Sequence, residues 1–581
     1  MTTMKRLLRL AALVPAVACA PLAGQGQAPR ESVRDVYLDD DGVVRWEDTG
    51  EEVTLFGANY ALPTAGDYRA AGYLTRDRKA LIDQDMAHFA RMGWSGLRVA
   101  FWGDWQASDL EGNLIENDHL DLMDYLIAKA RERGIYILFN PIHTYDAGWP
   151  DSLDADFPGF AAHIPKSELG TDSAAIAAQT NYVRQILEHV NPYTGVALAD
   201  EPSILFVEMI NEPTHHPEDV QGSVRYIDAL HDAVRAAGSD AITFHNVSQD
   251  FRIAEAIRRS DVQGASFGWY PTGLNAGHEL EGNHLRAVDD YPPMRLPTLE
   301  GIPKVVYEFD SADQRTATMY PAMARAYRAG GVQFAAMFAY DMLATASRNL
   351  GWQTHYLNMV YTPRKAMSGV IAAEVMRRLP RLERWGAYPE NLAFGPFRLD
   401  PDDDVAVMAA EDAYLNAGTT AVPAPAPERL ERVAGYGSSP VVRYPGEGIY
   451  FLDRVREGVW RLEVYPDAVP VADPFEMPSP DKIVTRAIWR SWPMTVDLPG
   501  LGTSFHVQPI VAGNEAASRA RPAGRPAPDG RPAGGDRVAG GGPLAGAARG
   551  GTFEVRPGIY ILSADGPVDP STLPARVGRV G

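Results

Sequence analysis

The stretch Ile204-Leu-Phe-Val-Glu-Met-Ile-Asn-Glu-Pro-Thr214 decides how this chain is read. Residues 204–210 are apolar apart from Glu208, which suits a strand buried on both faces of a parallel sheet. Asn211 and Glu212 then end the run, and Pro213 withholds the amide that a continuing strand would need. The run predicts a short interior strand that delivers two polar side chains at its carboxyl end.

Working outward, similar runs recur with helical patterns between them. The sequence predicts strands at 53–59, 96–101, 135–141, 204–210, 241–246, 262–269, 304–309 and 332–338. Amphipathic stretches at 79–92, 119–133, 174–190 and 224–237 fall between them. Eight strands alternating with helices over residues 35–381 predict an α/β domain, a (β/α)8 TIM barrel. The rival is a doubly wound sheet, but no glycine-rich phosphate loop follows the first strand. Ahead of the barrel, Val36-Tyr-Leu38 and Val43-Val-Arg-Trp46 flank the acidic turn Asp39–Gly42 and predict a hairpin. Beyond Arg381, short β-like runs between Pro, Gly and Asp turns predict a C-terminal antiparallel β-sandwich over 385–513 plus 552–565. Residues 514–551 are rich in Ala, Gly, Pro and Arg, a composition expected to be disordered. Arg556–Leu562 echoes Arg443–Leu452, which predicts two similar edge segments of one sheet, with Thr552–Leu562 as a returning final strand.

Composition narrows the partners. The chain of 581 residues carries 54 Lys+Arg against 75 Asp+Glu, a formal net charge of −21. Nucleic acid, whose phosphates need a basic face, is therefore not expected. Lys5, Arg6 and Arg9 ahead of the apolar run Leu10–Ala18 predict a signal peptide over residues 1–28 and a secreted, periplasmic or outer-surface bacterial protein. Cys19 is the single cysteine. It is either discarded with the signal or kept as a lipid tether, Ala16-Val-Ala18 before it resembling a lipoprotein signal. No cofactor is expected, and the chain is expected to be a monomer. Asp402-Asp-Asp404 has the chemistry of a calcium site, but the favoured reading is a solvated turn.

In a (β/α)8 barrel the reactive groups stand at the carboxyl ends of the strands. Those ends offer Glu212 after the fourth strand and Glu308 within Lys304-Val-Val-Tyr-Glu308 on the seventh, 96 residues on. Two facing carboxylates are what glycoside hydrolysis needs, one to protonate the leaving oxygen and one to attack or to activate water. Glu208 shares the side-chain parity of Glu212 and reads as a buried partner in a polar network. Aromatic side chains near strand ends, Trp102, Trp105, Tyr145, Trp149 and Trp269, offer stacking surface for sugar rings. His245, at the end of the fifth strand, is a further candidate for lining the site.

The segment Ile204–Thr214 resembles the signature of glycoside hydrolase family 5, a family of retaining (β/α)8 glycosidases. The resemblance covers about residues 35–380 and implies Glu212 as acid/base and Glu308 as nucleophile. It implies that Asn211 bonds the sugar 2-hydroxyl and that Arg98 braces the nucleophile, keeping it ionised. It matches His143 to a histidine that reaches a sugar hydroxyl, and Tyr270 to a tyrosine that bonds the nucleophile. Two positions depart from the family. Gly268 stands where it usually has His, and Phe338-Ala-Tyr340 ends the eighth strand where it usually has a stacking Trp, with Trp352 beyond. Tyr340 is the candidate there. The implied activity is hydrolysis of a β-mannan or β-glucan, with an exo-acting β-galactosidase or β-mannosidase, or a non-catalytic carbohydrate-binding protein, as alternatives.

Overall fold

The computed structural model describes residues 33–74, 77–148, 157–248, 250–289, 291–510, 546–547 and 551–572. The signal peptide, Cys19, Trp149 and nearly all of segment 514–551 lie outside the described residues.

Eight parallel strands close into a barrel: Leu55–Asn59, Gly96–Ala100, Tyr136–Asn140, Ile204–Glu208, Ile242–Asn246, Gly264–Trp269, Lys304–Phe309 and Val332–Met337. The eighth pairs with the first, Phe334 opposite Leu55, so no edge remains. Each expected strand is present, its ends trimmed by up to two residues. Asp77, Asn117, Asp172 and Asp219 cap the helices Arg78–Met92, Asp118–Glu132, Ser173–Glu188 and Val220–Ala236 by accepting amide hydrogen bonds. Parity along the strands separates two layers. Phe206, Phe244, Val305, Phe334 and Ala336 fill the barrel interior, while Leu97, Val99, Phe267 and Met337 face the helices. Gly96 makes room for an interior ring, since a Cβ there would lie 2.1 Å from the Phe334 side chain.

The hairpin Val36–Leu38 and Val44–Trp46 plugs the amino-terminal face of the barrel. Gln333 fastens it, accepting from the Val44 amide at 2.9 Å and donating to the Val44 and Val53 carbonyls. That leaves the carboxyl ends of the strands as the open face.

After helix Pro363–Arg378 the chain enters the β-sandwich. A ten-stranded sheet packs over a three-stranded one, with Tyr414, Leu452, Trp460 and Leu562 of the first against Val442, Met494, Val496 and Val555 of the second. The sheets are not wholly antiparallel, because Ala413–Ala417 runs parallel to Arg432–Tyr436. The two echoing segments do share one sheet, but neither lies at an edge. Tyr450–Arg456 and Gly558–Ser563 pair with opposite sides of Val459–Val464, so both repeat the same apolar alternation beside a common neighbour.

A strap between the strands Asp467–Pro470 and Thr485–Ile488 returns to the open face of the barrel. Phe475 is fully buried in the barrel core. Asn349 donates to the Pro474 carbonyl at 2.8 Å, Gln353 to the Phe475 carbonyl at 3.2 Å, and the Val484 amide to Ser347 at 2.9 Å. The sandwich thus grips the loop that follows the eighth strand.

Candidate active site

Strand parity aims Asn59, Arg98, Glu208, Asn246 and Ser266 at the barrel axis, where they build a buried polar floor. Arg98 donates through Nε (2.8 Å) and Nη2 to Glu208, and both side chains are fully buried. Arg98 also donates to Asn59 Oδ1 at 2.9 Å and to Asn211 Oδ1 at 2.8 Å. Asn246 (2.9 Å) and Ser266 complete the shell of Glu208. Every oxygen and nitrogen in this floor is matched to a partner, as burial of charge requires. Glu208 is the network member that its parity suggested.

Above the floor stand the two carboxyl groups. Glu212 follows the fourth strand with φ of 40°, a left-handed backbone that costs a glutamate about 1–3 kcal/mol and that turns its side chain over the barrel mouth. Glu308 reaches the same place from the seventh strand. It is almost fully buried, it accepts from the Tyr270 hydroxyl, and it lies within hydrogen-bond reach of Glu212. Arg98 Nη1 is 3.9 Å from Glu308 Oε2. Two tyrosines donate to Glu212, Tyr145 to Oε2 at 2.5 Å and Tyr307 to Oε1. Lys166 caps the outer tyrosine, its Nζ 3.6 Å from the centre of the Tyr145 ring.

The electrostatics differ from the sequence expectation. Arg98 was expected to keep Glu308 ionised. Instead burial, and then the adjacent Glu212, hold the Glu308 carboxyl well above the usual carboxylate range, and Arg98 offsets this only in part. The cause is the sharing of one guanidinium: its short bonds go to Glu208, leaving the more distant contact for Glu308. Two carboxyl groups this close cannot both be ionised cheaply, so the pair retains a proton.

Around the pair, His143 lies flat against Trp102, ring centres 3.4 Å apart, and neither of its buried ring nitrogens has a partner. Burial, then Arg98 and Lys166, push it well below the usual range, so the ring is neutral. Trp102 stacks in turn with Trp352 at 5.8 Å. Trp352 donates to Asp67 at 3.3 Å, and Phe338 packs against its edge. His355 lies 5.2 Å from the Tyr270 ring and 3.2 Å from Asp310 Oδ2, whose other oxygen is 2.9 Å from Lys365.

The structure therefore brings Glu212, Glu308, Arg98, Asn211, His143, Tyr270 and Trp102 together. Asn211 is committed within the protein, accepting from Arg98 and donating to the His143 carbonyl at 3.3 Å. Four expected residues fall elsewhere. Trp269 lies on the outward face of the sixth strand, stacked on Tyr291 at 4.5 Å. Tyr340 is turned behind the barrel, bonded to His88 Nδ1 at 2.7 Å and packed on Phe89 and Trp94. His245 sits between the inward-facing Phe244 and Asn246 and so points outward, lining a cavity of about 480 Å³ with His215, His216 and Tyr226. Trp105 meets Phe157 edge-on instead of the carboxyl groups. The Asp402–Asp404 turn engages its own fold, Asp404 binding Arg364 and the Ala317 amide at 2.8 Å each. Among the described residues no cluster of His, Cys, Asp or Glu could hold a metal ion. The sequence reading missed Tyr307, His355 and Lys166 as neighbours of the site, and took Tyr145 for a stacking surface instead of a partner of Glu212.

A closed (β/α)8 barrel with adjacent carboxyl groups on its fourth and seventh strands has the layout of the retaining glycosidase barrels. Comparison with known proteins found the following likenesses. The chain is 30% identical over 105 residues to mannan endo-1,4-beta-mannosidase 3 of Oryza sativa subsp. japonica, covering 18% of this chain and 22% of that protein. It is also 30% identical over 201 residues to mannan endo-1,4-beta-mannosidase 1 of the same plant, covering 32% and 43%. The matches thus span less than half the length of these relatives. Among solved structures, the endo-1,4-beta-mannanase of Rhizomucor miehei aligns with 59% of this chain and all of its own, at 14% identity and a TM-score of 0.43. No family model matches. The closed (β/α)8 barrel is the fold that the signature at Ile204–Thr214 led us to expect.

Proposed function

We propose that this protein is a retaining β-glycosidase that hydrolyses β-mannan. The observation that carries the reading is the contact between Glu212 and Glu308. Retention needs carboxyl groups close enough to take turns at one anomeric carbon, about 5–5.5 Å apart, whereas inversion needs about 6.5–9.5 Å to seat a water between them. A pair within hydrogen-bond reach fits the first geometry. The mannanase relatives support mannan as the substrate.

In the mechanism, Glu308 attacks the anomeric carbon and Glu212 protonates the departing oxygen, then activates water to release the sugar. The proton that the pair retains is the one the first step consumes. The Tyr145 hydroxyl donates to Glu212 Oε2, the oxygen that must meet the glycosidic oxygen. Tyr145 is 46% exposed, so a sugar can replace it. Once it has left, the proton passes from Glu308 to Glu212 across their contact, leaving an anionic nucleophile braced by Arg98 and Tyr270. His143, neutral with both nitrogens free, is placed to bond a sugar hydroxyl, and Trp352 offers the stacking face. The predicted signal peptide supports action outside the cytoplasm; among the described residues no helix is long and apolar enough to cross a membrane.

The test is a product profile from β-mannan, β-glucan, mannooligosaccharides and aryl β-glycosides, with Glu212→Gln and Glu308→Gln alongside. Cleavage of β-mannan to short oligosaccharides, abolished in both variants, supports the reading. Release of single sugars alone would favour the exo-acting alternative. Full hydrolysis by either variant would sink the mechanism.

A further inference from the structure

Beyond the acid and the nucleophile, the seventh strand carries a second group that no family signature marks. Pairing along this strand slips on both flanks: against the sixth, Phe267 meets Val306 and the next residue, Gly268, meets Glu308, and a slip also falls before the Met337–Phe309 pair. Such a bulge leaves one residue over, and it brings neighbours to the same side of a strand that would otherwise alternate. Here it gives Tyr307 and Glu308 to the barrel mouth together. Tyr307 is 1% exposed, its hydroxyl donates to Glu212 Oε1, and the Arg98 guanidinium lies 4.8 Å from the centre of its ring.

The space for that hydroxyl is made by one absent side chain. A Cβ at Gly268 would lie 2.7 Å from Tyr307 Oη and 3.0 Å from Cζ, closer than carbon atoms approach. Any other residue at 268 would push the phenol off Glu212. The two positions are therefore a matched pair on adjacent strands.

We propose that Tyr307 is a positioning residue for the acid/base, with Gly268 as its steric counterpart. The proposal rests on the reading of Glu212 as the acid. The two tyrosines that hold Glu212 divide the work by their burial. Tyr145, at the rim, gives way to substrate. Tyr307, inside, stays on Oε1 through the cycle, so that the proton rides on Oε2 and faces the glycosidic oxygen. Without Tyr307 the carboxyl can turn about its terminal torsion, which has broad preferences and supplies no alignment of its own.

Aligned proton donation matters in proportion to the basicity of the leaving group, which gives a readout that mere loosening of the fold would not move. Tyr307→Phe and Gly268→Ala are assayed on a mannooligosaccharide, whose leaving sugar needs a proton, and on a dinitrophenyl β-mannoside, whose leaving group needs none. Each variant is expected to lose about 10- to 100-fold in kcat/KM on the oligosaccharide, the scale of one hydrogen bond to a charged group. On the activated glycoside the loss should stay within about threefold. In the double variant Gly268→Ala should cost less than it does alone, because the displaced hydroxyl is already gone. Equal losses on both substrates, no loss on either, or full additivity would each overturn the proposal. Glu212→Gln in the same assay separates the two ideas. If it spares the oligosaccharide the acid assignment itself falls, and if it abolishes that activity while Tyr307→Phe does not, only the role of Tyr307 falls.

Discussion

Replacing Glu208 with Gln tests how charge is shared beneath the cleft. The floor and the pair above it hold one cation, Arg98, against three carboxyl groups, Glu208, Glu212 and Glu308. Glu208 takes the short bonds of Arg98 while Glu308 is left at 3.9 Å. Gln keeps the shape and can still accept from Asn246 or Ser266, but it removes one negative charge and leaves Arg98 without its buried partner. Two effects follow. Breaking a buried pair by removing one member costs about 3–5 kcal/mol, a large part of the 5–15 kcal/mol that holds a typical domain together. The freed guanidinium now acts on Glu308 with no rival: at 3.9 Å and an effective dielectric near 20, the attraction is about 4 kcal/mol. That attraction, and the lost repulsion from Glu208, both favour the ionised nucleophile. Since Glu308 must be anionic to attack, the acid limb of the pH profile of kcat/KM should move to lower pH. Urea unfolding and a pH–rate series on an aryl β-mannoside measure the two effects separately. A loss of stability with an acid limb that stays put, or moves up, would refute the idea that Glu208 and Glu308 compete for Arg98.

Three further outcomes follow from the geometry. Tyr340→Phe should leave kcat/KM within twofold of the parent, because this tyrosine faces His88 and the Met359 amide behind the barrel. It should cost about 1–3 kcal/mol in urea unfolding through the partners it strands. Phe475→Ala should cost about 3–5 kcal/mol and also lower kcat/KM, because the strap that Phe475 anchors holds the loop bearing Trp352 and His355; a loss of stability at unchanged kcat/KM would separate the sandwich from the cleft. Burial raises Asp67, Asp85 and Asp104 each to about 7, above the ordinary 3.8, so at these groups the folded chain binds more protons than the unfolded one between those values. Their contribution is full below about pH 4 and is lost as pH rises through 7. Buried neutral histidines such as His88 oppose this below about pH 6.5, so the comparison is made with Asp85→Asn: the thermal midpoint of the parent should gain on that of the variant as pH falls from 8 to 5, and a difference that shifts the other way would contradict the burial of Asp85.

Most of the barrel was legible because a strand buried on both faces announces itself as an apolar run, and eight such runs have few ways to pack. Glu212, Glu308, Arg98 and Tyr270 were legible for a related reason: each ends a strand, and the barrel dictates that strand ends converge. Proximity to a strand end was not enough for Trp269 or His245. Parity opposite to that of the inward Ser266 and Phe244 places both on the helix side. Tyr307 was hidden by the same rule working in reverse. Alternation makes it an interior filler beside Glu308, and only the bulge, which depends on pairing with both neighbours, lifts its hydroxyl to Glu212. Trp352, His355 and Lys166 come from loops, whose paths follow tertiary contacts such as the strap at Phe475 and not a period in the sequence. The electrostatics were misjudged for want of one count. An arginine near a carboxylate lowers it, but this arginine already belongs to Glu208.

The central claim is that Glu308 forms a covalent bond to the sugar and that Glu212 completes the displacement. Mass spectrometry of the intact protein after incubation with a 2-deoxy-2-fluoro β-mannosyl donor bearing an activated leaving group tests it directly. The account predicts a mass increase of one fluorosugar, located by peptide mapping on Glu308 and absent from Glu308→Gln. An unmodified protein that still turns over the parent glycoside, or a label on any other residue, would contradict it.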